Sequence, residues 1–154
     1  MRITFLGTGT SQGVPVIGCT CEVCQSLDYR DKRLRTSVHI EVDSQSIVID
    51  TGPDFRQQMI RESVRRIDAL LFTHAHRDHT AGLDDVRAYN FMQKMDMPVY
   101  ATAPVLDQLK VESAYAFADQ YYPGIPRLTL HEIDEKDFNI NGVNVVPLLV
   151  MHMK

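Results

Sequence analysis

The segment His74-Ala75-His76-Arg77-Asp78-His79 limits what this chain can fold into more than any other stretch. It follows Asp68-Ala-Leu-Leu-Phe-Thr73, a short apolar run bounded by polar residues, which predicts a buried strand. That strand has to end where imidazoles and a carboxylate can leave the core together. In an extended segment His74 and His76 project to the same side, because side chains alternate with period two. A turn after Arg77 then presents Asp78 and His79 to a second, neighbouring position. Imidazole suits zinc, iron, manganese and nickel, while the carboxylate widens the choice toward harder ions. Half of the chain's 6 histidines fall in this window, more than a polar surface loop accounts for. We read a metal site here.

The length of 154 residues suits one domain. A net charge of −4 argues against a general electrostatic grip on nucleic acid. No apolar run approaches the ~20 residues of a membrane-spanning helix, so no membrane association is expected. The opening residues 1–6 pass at once into Gly7-Thr-Gly9. That is too short an apolar stretch for a signal peptide and predicts a cytoplasmic protein. In that compartment a clustered trio, Cys19, Cys21 and Cys24, favours metal binding or free thiols over disulfides.

Along the chain, residues 2–6 alternate polar and apolar and predict a first strand. Residues 7–36 form a long connection, and loops of that length are functional or separately tied down. Strands over 37–42 and 46–50 read as a hairpin about Asp43-Ser44. Pro53 opens a helix patterned by Phe55, Met59, Ile60 and Val64. A short helix over 80–89, a strand over 97–101 and a helix from 103 to about 119 follow. Further strands are predicted over 128–133 and 138–140. Asn141-Gly142 is a hairpin turn, since both residues tolerate positive φ. Residues 143–151 are almost wholly apolar and predict a last strand buried on both faces. Strands with interspersed helices give an α/β or α+β class with a mixed sheet.

His74-x-His76-x-Asp78-His79 after an apolar strand, with Asp50-Thr-Gly52 ending the strand before it, resembles the metallo-β-lactamase-fold hydrolases. The resemblance implies that His74, His76 and a later histidine hold one metal, and that Asp78 and His79 help to hold a second. Asp50 would brace the loop from beneath, and His152 matches the later histidine. The opening loop, Leu6-Gly-Thr-Gly-Thr-Ser-Gln-Gly-Val-Pro15, is similar to the phosphodiesterase branch, which includes the tRNA 3′-processing ribonuclease. Cys19-Thr-Cys21-Glu-Val-Cys24, followed by Arg33-Leu-Arg-Thr-Ser37, is closer to the cyclic phosphodiesterase of phosphonate degradation, which carries a structural zinc on such a trio. Members of the family fold as αβ/βα sandwiches of two similar halves. The expectation is that residues 1–154 supply the first half, by truncation, a split gene or pairing of two copies as a homo-oligomer.

The chemistry that follows is hydrolysis of a small cyclic or linear phosphodiester by metal-activated water. Zinc or manganese is expected, two ions in a complete site, with a possible further structural zinc. A bound divalent ion lowers the pKa of water from about 16 to near 7, so no protein nucleophile is needed. Asp78 is the candidate to orient or deprotonate that water. Arg33 and Arg35, beside the cysteine loop, are candidate phosphate contacts. Two competing readings are RNA 3′-end processing, with RNA as partner, and a metal-binding half-domain that is catalytically incomplete. His39 and His131 lie in predicted strands and read as surface or packing residues. The aromatic group Tyr115, Phe117, Tyr121 and Tyr122 reads as core or interface.

Overall fold

A computed structural model of the chain describes residues 1–118, 122 and 124–152. Its centre is one six-stranded sheet: β1 (Arg2–Gly7), β2 (Ser37–Val42), β3 (Gln45–Ile49), β4 (Ala69–Leu71), β5 (Met97–Ala101) and β6 (Leu128–Glu132) lie side by side in that order. The first three strands pair antiparallel, and β3 to β6 run parallel. Parallel neighbours need a crossover. Here α2 (Phe55–Arg61) joins β3 to β4, and α5 (Ala103–Glu112) joins β5 to β6. Between β4 and β5 the chain makes α3 (Arg77–Thr80), a short 3₁₀ turn and α4 (Arg87–Gln93). A separate hairpin, β7 (Phe138–Ile140) and β8 (Val143–Val145), follows.

The pleat sorts the side chains between two layers. Val48, Leu70 and Val99 stand in register and are fully buried against Phe55, Met59, Tyr89, Leu106 and Leu109 from the helices. Burial of this kind stabilises by roughly 1.5–3 kcal/mol per large apolar side chain. On the opposite face Ile47 and Ala69 pack under Ile140 of the β7–β8 hairpin. That cover is partial: Phe5, on the same face, is 68% exposed.

The long connection after β1 is tied down. Gly9 N–H donates to Leu34 O at 2.7 Å, and Val14 and Arg33 exchange backbone bonds at 2.8 Å. Gly7 is required by this closure, because a Cβ there would lie 1.9 Å from Arg35 O. A four-residue helix, α1 (Glu22–Gln25), carries the last cysteine of the trio.

Several expectations hold and others need correction. The 97–101 strand, the 138–140 strand and the Asp43-Ser44 turn with both residues at positive φ are as expected. The predicted 80–89 helix instead splits into a 3₁₀ turn and α4. The helix predicted from 103 ends at Glu112 and is followed by a 3₁₀ turn over Ala114–Phe117. Its projected end at 119, like Tyr121, lies outside the described residues. The last strand is the largest correction. Only Val143–Val145 pair, and the apolar residues beyond them lie open, with Leu148 80% exposed. A strand buried on both faces needs neighbours and covering layers, and among the described residues β8 pairs with β7 alone. Among the described residues no helix is long and apolar enough to cross a membrane.

Candidate metal centre

The site forms where β3 and β4, parallel neighbours, both end. Asp50 follows β3 with φ 62°, a left-handed conformation that L residues seldom adopt and that aspartate tolerates better than most. This kink turns its carboxylate toward the chain leaving β4. Asp50 Oδ1 accepts from Thr73 N–H at 2.9 Å, and Oδ2 accepts from Thr73 Oγ1 at 2.8 Å and from His79 Nδ1 at 2.7 Å. Gly52 lets the next turn close over this point. Thr51 N–H donates to His79 O at 2.8 Å, and a Cβ on Gly52 would come 2.3 Å from Asp78 O.

These bonds settle which imidazole nitrogens are bare. A hydroxyl has one proton to donate, and Thr73 gives it to Asp50. His74 Nδ1, 2.9 Å from Thr73 Oγ1, must then be the donor of that pair. His74 Nε2 is left without hydrogen, and it is buried with no partner. His79 is fixed the same way: Nδ1 faces Asp50 and Nε2 faces Asp78 Oδ2 at 3.3 Å. One buried carboxylate thus orients both rings with Nε2 outward. An imidazole ligand whose other nitrogen donates to a carboxylate or hydroxyl is the arrangement that fixes tautomer and orientation at metal sites.

Nitrogens of His74, His76 and His152 lie within 4.8 Å of one another. Two imidazole nitrogens on one tetrahedral zinc, each at about 2.1 Å, stand about 3.4 Å apart, so this span fits a single ion. Three rings this close are poorly placed to carry protons. Burial first, then the neighbouring His79, His76 and His152, hold the His74 pKa below the usual histidine value. An unpartnered buried nitrogen is also costly in itself. The donor set therefore fits a divalent cation. At His79 the hydrogen bond from Nδ1 to the Asp50 carboxylate raises the pKa against the effect of burial.

The cysteine loop holds a second donor group. Sulfurs of Cys19, Cys21 and Cys24 lie within 4.8 Å of one another. Val16 N–H points at Cys24 Sγ at 3.4 Å, and hydrogen bonding led by the Cys24 backbone N–H lowers the Cys21 pKa. The two arginines separate. Arg33 is exposed, whereas Arg35 is turned inward: Nη1 donates to Asp54 Oδ1 at 2.9 Å and Nε to Ser11 O at 2.8 Å. Arg35 fastens the opening loop to the start of α2. His39 is buried with Nε2 2.8 Å from Ser46 Oγ, and His131 stacks on Tyr100. Thr73 was not singled out in the sequence, although its place between the strand and His74 was the available signal.

The Beta-lactamase superfamily domain family matches residues 45–154. The chain is 44% identical to the Octanoyltransferase of Porphyromonas gingivalis over 154 residues, which is 99% of this chain and 31% of that protein. It is 26% identical to a Ribonuclease Z of Halalkalibacterium halodurans over 159 residues, covering 99% of this chain and 46% of the relative. Among solved structures, a diphosphatase from the PhnP family superposes with a TM-score of 0.88 at 39% identity, over 97% of this chain and 57% of that one. The chain thus spans about half or less of the length of these relatives. With the mixed sheet, the histidine turn and more than half of its residues matched, the chain belongs to the beta-lactamase superfamily.

Proposed function

We propose that the chain carries the metal-binding part of a metal-dependent hydrolase that cleaves phosphodiester bonds. The observation that carries this reading is the convergence of His74, His76 and His152 with the bare Nε2 of His74 turned into their midst. These three would hold one divalent ion, and Asp78 with His79 would contribute to a second. When bound, such an ion supplies a water of pKa near 7 and charge to offset that of a phosphate. Asp78 is half-buried beside His79 and would orient the attacking water and take its proton. Asp50 and Thr73 would keep the His74 and His79 rings pointed toward the site. Exposed Arg33 would meet a substrate phosphate. The cysteine trio would hold a structural zinc with a fourth donor from outside these residues.

The phosphodiester assignment draws on the likeness to the PhnP-family diphosphatase and to ribonuclease Z. The ribonuclease likeness also supports a second reading, processing of RNA ends, against which stands the net charge of −4. Zinc and manganese both suit the donor set. We further propose that residues 1–154 form the first half of the αβ/βα sandwich, which leaves Phe5, Leu148 and Val150 open to a second layer.

Hydrolysis of bis(p-nitrophenyl) phosphate with added Zn²⁺ or Mn²⁺ tests the activity. Metal-dependent turnover lost in His74→Ala supports a hydrolase. A chain that binds metal and shows no turnover supports the incomplete half-domain instead.

A further inference from the structure

Glu112 is the last residue of α5, where the negative end of the helix dipole disfavours a carboxylate. Its side chain is nonetheless only 12% exposed, and its oxygens are all used. Oε2 accepts from Arg77 Nη1 at 3.0 Å and from Thr80 Oγ1 at 3.1 Å, and Oε1 accepts from Gln108 Nε2 at 3.0 Å. Arg77 and Thr80 are the first and last residues of α3, the single turn that carries Asp78 and His79. Four residues make an unstable helix on their own, because nucleation fixes several dihedrals for one hydrogen bond. Something outside the turn has to hold it. Asp50 holds it from the sheet side through His79, and Glu112 holds both of its ends from the helix side.

We propose that Glu112 is a positioning residue for the histidine turn. Its carboxylate clamps Arg77 and Thr80 and so sets where Asp78 and His79 stand relative to His74 and His76. The inference rests on the metal-site reading above. Arg77 thereby gains a role: the residue between His76 and Asp78 is the handle by which α5 grips the turn.

The test is metal binding by the full chain, followed by competition with a chromogenic chelator for Zn²⁺ and by the visible d–d spectrum with Co²⁺. In Glu112→Ala, Zn²⁺ affinity is expected to fall about 10- to 100-fold, as for other residues that orient metal ligands, and the Co²⁺ spectrum to change shape. Glu112→Gln keeps an acceptor for Arg77 and Thr80 and should recover much of the affinity. A purely structural role would lower the unfolding temperature of the ion-free chain and leave the spectrum of the folded protein unchanged. That result, or Zn²⁺ affinity equal to that of the unaltered chain, overturns the inference. Should Glu112→Ala fail to fold, the Arg77→Met, Thr80→Val pair removes the same grip, and an unchanged affinity there also overturns it. An unaltered chain that binds no metal overturns the metal reading itself, and this inference with it.

Discussion

The histidine cluster and the cysteine loop each bring three donor atoms within 4.8 Å of one another, but the protein prepares them differently. The histidines stand at the mouth of a parallel sheet, where Asp50 orients the His74 ring through Thr73 and the adjacent His79 ring directly. The cysteines sit on a long connection, Cys19 and Cys21 exposed ahead of a one-turn helix that carries Cys24 and buries no side chain. In the first set the His74 ring is fixed through a buried carboxylate before any ion arrives, whereas in the second the thiols are met by the backbone N–H groups of Val16 and Cys24. Preorganised donors bind with little further ordering, while loose donors must be ordered at the moment of binding. The two regions should therefore respond to different substitutions.

The largest effect is expected from His74→Ala. The ring occupies the centre of the cluster, with centroids 4.6 Å from His76, 4.1 Å from His79 and 4.6 Å from His152. Its loss should abolish Zn²⁺ binding at this cluster in calorimetric titration and leave the thiols of the cysteine loop as reactive as before. Next comes Asp50→Asn, which keeps a residue type that accepts positive φ. An amide offers one acceptor oxygen and cannot serve both Thr73 groups and His79. Metal affinity should fall about 10- to 100-fold. The ion-free chain should lose roughly 1–3 kcal/mol through the buried donors left unpaired, as read by urea unfolding.

The comparison is sharpened from the other side by Cys21→Ser. Thiol titration before and after chelation should show Cys19 and Cys24 becoming more accessible once metal is removed. Cys21→Ser should abolish that difference and leave Zn²⁺ affinity at the histidines unchanged. Thiol accessibility that chelation does not alter would remove the structural-zinc reading.

The smallest effect concerns pH and lies away from both clusters. Burial holds the His39 pKa below the usual histidine value. The unfolded chain takes up this proton near pH 6.5 while the folded chain resists it, so the unfolded state gains as pH falls. The stability lost lies between about pH 6.5 and the lower folded pKa. His39→Gln should flatten this part of the stability–pH curve measured by urea unfolding.

Features that rest on local chemistry were legible in the sequence. The Asp43-Ser44 and Asn141-Gly142 turns follow from residues that accept positive φ, and the 97–101 strand from a short apolar run. The histidine turn stands out because donor spacing is itself a sequence property, whereas the bracing role of Asp50 is what the family resemblance implies. Features that depend on distant partners were not legible. Arg35 read as an open cation, yet Asp54 claims it across 19 residues. Nothing in the sequence around Glu112 names its partner Arg77, which lies 35 residues earlier. The 143–151 run failed as a strand for a related reason: its apolar side chains specify burial without specifying what buries them, and β7 alone pairs with it among the described residues.

The central claim is that bare imidazole nitrogens, aimed by a buried carboxylate, receive a divalent ion. Crystals soaked in Zn²⁺ or Mn²⁺ and measured at the metal's absorption edge test it most directly. An anomalous peak is expected about 2.1 Å from His74 Nε2 and bonded to His76 and His152. Clean density at those three rings, in crystals that take up the ion elsewhere, would contradict it.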